Sequence, residues 1–197
     1  MSMDFTGVKA ITVPEGSVRK ITNQAGVVLW EKAGSSAYEM LDSLELSMSV
    51  SIDFNIKLLS TSLISLDFAP LSVTYYANFL VASTSPGMLF RAEKEKLFAK
   101  IDWYNQSFAT LVSGERIQIK MDAQKVYLND VQKVNMSGVS SFESNTTLKL
   151  GGLPMTFYSL HAKYSDVLYW DYYPAKRTSD GATGLLEKNT NTFIAIS

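Results

Sequence analysis

Leu44, Leu46, Met48, Val50, Ile52, Phe54, Ile56 and Leu58 stand on one parity, and the positions between them hold only Glu, Ser, Asp, Asn and Lys. On a helix this period of two would scatter apolar side chains to every side. On an extended chain it gives one dry face and one wet face. A sheet built this way must bury its dry face against a second layer. Strands seldom run so long, so a break is expected near Ser47–Ser49.

The rest of the chain repeats the pattern in shorter pieces. Strand-like runs are expected at Leu63–Phe68, Val73–Val81, Met88–Arg91, Leu97–Trp103, Phe108–Val112, Glu115–Met121, Lys125–Leu128, Thr147–Leu150 and Phe193–Ile196. Asp122-Ala123-Gln124 and Asn129-Asp130 read as turns between them. No segment carries a capped helical period; the charged stretch Ala92–Ala99 is short and lies between strands. Many short strands at regular spacing predict an all-β, two-sheet antiparallel sandwich. The N-terminal residues read as three short strands around Val8–Ile11, Val18–Ile21 and Val27–Trp30, with turns at Pro14-Glu15-Gly16 and Asn23–Gly26. Such a unit is too small to bury its own core. The small residues Ala33-Gly34-Ser35-Ser36 suggest a linker, so residues 1–34 are expected to form a short β attachment unit and residues 35–197 the sandwich.

The stretch from Phe157 to Leu186 is the densest in signals. Tyr158, Leu160, Ala162 and Tyr164 share one parity, Ser165-Asp166 suits a turn, and Leu168, Trp170 and Tyr172 then oppose Tyr169, Asp171 and Tyr173. Pro174 cannot donate to a ladder and is expected to end this strand. In Ser179-Asp180-Gly181 the Asp is expected to bond the turn backbone, with Gly accepting a positive φ.

With Tyr158, Ser159, Leu168, Asp171, Pro174, Lys176, Arg177, Ser179, Asp180, Gly181, Gly184 and Leu185 in place, this stretch resembles the closing hairpin of laminin-G-like, concanavalin A-like jelly rolls in bacteriophage and prophage tail-associated proteins. Trp170 and Leu186-Glu187 depart from that line. Residues 38–58 are similar to the family's opening, without its central Gly and Thr, and residues 115–128 to one of its hairpins. The segment from Ile11 to Lys32 resembles openings of phage tail-associated proteins. The resemblance implies a concanavalin A-like jelly roll and a virion component. It argues fold better than function.

Composition bounds the chemistry. A formal net charge of −1, with basic residues scattered, implies no polyanion-binding field, so no nucleic acid is expected as a partner. Without cysteine there is no disulfide, thiol catalysis or cysteine zinc site. No apolar run is long enough to span a bilayer, and the first residues lack the basic-then-apolar pattern of a signal peptide. The expectation is synthesis in a host cytoplasm and assembly into a virion, without membrane insertion. The sequons at Asn105, Asn135 and Asn145 then read as chance.

Related jelly rolls include glycoside hydrolases, which need two facing carboxylates. The nearest group, Glu39, Asp42 and Glu45, puts Asp42 on the opposite face of an extended strand. Glu93 and Glu95, flanked by Lys94 and Lys96, read as a charged edge that resists strand pairing. His161, the single histidine, reads as an exposed spectator, and one such residue supports no Ser-His-Asp relay. No cofactor, metal or catalytic residue is therefore expected; calcium held by Asp and backbone carbonyls is the one exception left open.

The aromatic clusters Tyr75-Tyr76, Trp103-Tyr104 and Trp170 with Tyr172-Tyr173 remain. Exposed flat rings stack on sugars and anchor interfaces, whereas buried ones build cores. Trp103, Tyr104, Trp170 and Tyr172 are the candidate ligand-binding residues. The expected function is non-enzymatic recognition of a host-surface polysaccharide by a homo-oligomeric tail-tip, baseplate or fibre protein. The alternatives are a purely structural assembly or decoration protein, whose partner is another virion protein, and a bacterial carbohydrate-binding module.

Overall fold

A computed structural model describes residues 20–22, 28–31, 37–164 and 169–196. The chain divides into two compact units, Met1–Ala37 and Tyr38–Ser197. In the first, β1 (Lys20–Thr22) pairs antiparallel with β2 (Val28–Glu31), placing Ile21 opposite Trp30. The expected strand at Val8–Ile11, both N-terminal turns, the linker at 33–36 and the turn at Ser165-Asp166 lie outside the described residues.

The second unit is all-β. Its strands are β3 (Tyr38–Met40), β4 (Leu44–Leu46), β5 (Ser51–Asp53), β6 (Leu63–Pro70), β7 (Tyr76–Thr84), β8 (Gly87–Glu93), β9 (Lys96–Ile101) and β10 (Tyr104–Thr110). There follow β11 (Ile117–Asp122), β12 (Lys125–Leu128), β13 (Val131–Asn135), β14 (Lys149–Gly151), β15 (Met155–Lys163), β16 (Tyr169–Arg177), β17 (Thr183–Glu187) and β18 (Thr192–Ala195). They make two antiparallel sheets packed face to face, a jelly-roll-like sandwich, with no helix among the described residues. One sheet runs β10-β9-β8-β7-β14-β5 and the other β13-β12-β11-β6-β15-β16-β17-β18.

The core between the sheets comes from the dry face of each strand: Leu66 and Phe68, Phe90, and Ile119 and Met121 keep one parity, whereas bulges let Phe79 and Leu80, and Phe157 and Leu160, be buried across a change of parity; all are fully buried. The alternation that opens the sequence survives as burial. Ile52, Phe54, Ile56 and Leu58 are buried and Ser51, Asp53, Asn55 and Lys57 exposed. The ladder itself stops at Asp53, because Asn55 turns left-handed (φ 55°) and its N–H bonds Asp53 Oδ1 at 2.9 Å. The chain still exchanges backbone bonds with Leu148 from Phe54 and Ile56, so its polar groups are satisfied without regular pairing.

Pro174 does not end its strand. Leu41 N–H bonds the Pro174 carbonyl, so Pro174 turns that edge toward the β3–β4 segment. Along it, β16 passes from β15 (through Tyr172) to β3 (from Ala175), and the missing N–H falls at this handover. The seam opening between β15 and β16 is filled by β3 and β4, which pair with β16 and β15 respectively. The 179–181 turn forms as expected: Asp180 accepts from Ala182 N–H and grips Arg177, and Gly181 has φ +74°.

Candidate functional site

The four candidate aromatics separate onto the two sheets. Ile101 pairs with Tyr104, so Asp102 and Trp103 form the two-residue turn between β9 and β10. The strand expected to reach Trp103 ends at Ile101, because Asp102 is left-handed (φ 54°) and its N–H bonds Gly87 O. Trp103 is 70 % exposed and lies flat on Tyr104, with ring centroids 4.0 Å apart and planes 29° apart. Tyr104 is half-buried and packs on the core, so it holds the indole out from a fixed base.

Trp170 and Tyr172 lie in β16 on the core side of the other sheet. Trp170 is partly buried against the core. Tyr172 is 4 % exposed, packs on Phe54 at 4.7 Å, and has its hydroxyl pushed up to about 12 by burial and then by the nearby Glu187 charge. A ring so enclosed offers no face to a ligand.

On the outer face of the six-stranded sheet, Arg91 is flanked by Phe98 (4.5 Å) and Tyr76 (5.2 Å) and bonds Glu93 and the Tyr76 hydroxyl. Beside it an open cleft of about 690 Å³ is lined by Val73, Thr74, Glu93, Lys94, Glu95, Lys96 and Phe98. The charged run expected as a protective edge is thus the tip of the β8–β9 hairpin, where Glu93 faces Lys96 and both strands are interior to the sheet.

The outer face of the ten-stranded sheet carries what sequence reasoning missed. Ser65, His161 and Asp171 lie opposite one another across β6, β15 and β16. His161 is no exposed spectator: Nδ1 pairs with Asp171 Oδ1, both side chains are largely covered, and the ring meets Tyr173 edge-on at 5.7 Å. Tyr169 and Tyr173 are held above the usual phenol range, chiefly by burial and then by Asp171. Asp171 N–H in turn bonds Glu187 Oε1 at 3.0 Å, while Thr190 donates its N–H and Oγ1 to Glu187 Oε2. The residue types match a hydrolytic relay, but the geometry does not. Ser65 Oγ is buried and, among the described residues, bonds neither His161 nor any other group, so His161 does not activate it. The one signal in the sequence was parity, which sets His161 and Asp171 on the polar faces of neighbouring strands.

Tyr158 departs from the parity that groups it with Leu160. A bulge between Phe157 and Ser159 shifts the register, and Tyr158 stacks outside on Arg116 at 3.9 Å. Glu39 and Glu45 lie on different strands, β3 and β4, with Asp42 between them. Among the described residues no three His, Asp or Glu side chains converge to hold a metal ion, and no helix is long and apolar enough to cross a membrane. No protein-family model matches the chain, and no curated protein is similar to it.

Proposed function

We propose that this chain is a non-enzymatic adhesion component of a bacteriophage or prophage virion, at the tail tip, baseplate or fibre, that recognises host-surface glycan. The observation that carries the reading is the Trp103–Tyr104 stack. Burying an indole is among the larger hydrophobic gains open to a side chain, of order 2 kcal/mol. Here 70 % of it is left in water on a tight turn, where the fold gains little from it. A flat ring backed by a second ring is suited to stack on the apolar face of a sugar. The virion setting is supported by the resemblance carried by residues 158–185.

The test is binding of labelled protein to a panel of bacterial cell walls and capsular polysaccharides. Saturable binding competed by one glycan, and weakened about tenfold by Trp103→Ala, is the expected result; that factor corresponds to about 1.4 kcal/mol of stacking. Absence of binding by folded protein across the panel rejects adhesion in favour of an assembly role.

A further inference from the structure

Strand β10 is an edge hydrogen-bonded on one side only, to β9, although it comes near β13 of the facing sheet. It ends the six-stranded sheet. Its sequence, Tyr104-Asn105-Gln106-Ser107-Phe108-Ala109-Thr110, contains no charge, proline or glycine. Natural sheets usually guard such edges with charge, proline, shortness or a bulge, because a bare row of N–H and C=O groups templates another strand. β13 carries Lys133 at its centre, and β5 is three residues long and ends in Asp53; β18 is also uncharged, but has four residues against the seven of β10. β10 does carry a bulge, but only after Ser107, where Phe108 turns toward Phe90. Tyr104–Ser107 is left as a regular stretch. Asn105, Gln106 and Ser107 are exposed, and among the described residues they make no side-chain hydrogen bond.

We infer that β10 pairs antiparallel with β10 of a second copy of this chain. A two-fold pairing sets a strand against itself, so any charge on it meets its like. This edge passes that condition because it has none, and amide and hydroxyl side chains can bond across the axis as donor and acceptor. With the axis through Gln106, which then faces its own copy while Asn105 faces Ser107, the two Trp103 turns stand about six residues apart along the pair, roughly 20 Å at 3.3–3.4 Å per residue. That spacing would make two stacking platforms act together if the adhesion reading holds. The pairing itself does not depend on that reading.

The experiment is sedimentation of the full chain at several concentrations. We expect a species of twice the 21.8 kDa chain mass. In Asn105→Lys/Gln106→Lys, like charges meet on both faces of the pair, and dimerisation should weaken at least about tenfold. Asn105→Glu/Gln106→Glu should do the same, and an equimolar mixture of the two variants should restore a dimer. Circular dichroism shows whether each variant is folded, and restoration in the mixture cannot come from misfolding. A wild-type monomer, a dimer indifferent to the charges, or variants that do not rescue each other overturns the proposal. Since the readout is mass, loss of glycan binding does not bear on it.

Discussion

Tyr172 and Trp103 carry similar rings and opposite burdens. Replacing Tyr172 with Ala should cost about 3–5 kcal/mol in denaturant unfolding, because the ring is enclosed against Phe54. Trp103→Ala should cost under about 1 kcal/mol, because its ring is mostly in water. Equal losses would mean that exposure does not report their roles. Parity could place Trp170 and Tyr172 on one face and Asp171 and Tyr173 on the other. It could not say which face meets the second sheet, since that depends on Phe54, far away in the chain. The Glu187 carboxylate was equally illegible: it is 1 % exposed, and its partners lie on β16 and in the turn after β17. Burial pushes it up, but the Asp171 N–H and the Thr190 hydroxyl and N–H outweigh that and hold it below its usual range. A carboxyl depressed in the fold adds stability above the usual carboxylate range and loses it as pH falls through the folded value. Glu187→Gln, whose amide NH₂ must face one of those donors, should cost about 1–2 kcal/mol near pH 7. Unfolding titrations should show that deficit narrowing as the pH is lowered into the acid range; a constant deficit would mean that the charge is not what these donors need.

At the scale of the element, turns were legible wherever short polar residues made them. Asn129 and Asp130 both take positive φ (49° and 63°) between β12 and β13, as their side chains tolerate. Ala123 and Gln124 do the same between β11 and β12 (φ 46° and 63°) without that tolerance. Gln124 is retained by its bond to Ser60 in the interior, but Ala123 is exposed. Ala123→Asn should therefore raise stability by about 0.5–1 kcal/mol, visible as a higher melting temperature. Gly184 shows the reverse case. It fits the resemblance line, yet its need is local crowding: a Cβ there would run into the Ile194 carbonyl oxygen and lie 2.9 Å from the Phe193 ring. Gly184→Ala should cost about 1–3 kcal/mol and loosen β18, read as faster amide exchange at Phe193 and Ile194. Gly138→Ala, where a Cβ meets nothing within 4 Å, is the control and should stay within about 0.5 kcal/mol. The β3–β4 wedge had no such signature, because a splayed seam between two other strands is decided by their twist and not by the residues that fill it.

For the whole molecule, alternation and turn spacing were enough to read a two-sheet sandwich, since period two with one wet face leaves few other ways to bury the dry one. Strand order was not readable. β14 lies between β7 and β5, and β15 beside β6, through pairings that join residues about 70 to 100 positions apart. Nothing local records such contacts. The candidate site was half-legible for the same reason: Trp103 sits on a local turn, whereas the Ser65–His161–Asp171 row exists only after three strands align. The core cluster runs from Leu46 to Leu185, all of it within the second unit, and it involves both sheets. A core closed in this way should be sufficient for folding. A fragment starting at Tyr38 should therefore unfold in one cooperative transition, with near-ultraviolet dichroism from its packed aromatics and no binding of a hydrophobic dye. A fragment with strand-type far-ultraviolet dichroism but fluid packing would show that the first 37 residues complete the core. Residues 1–37 would then belong to the sandwich's fold.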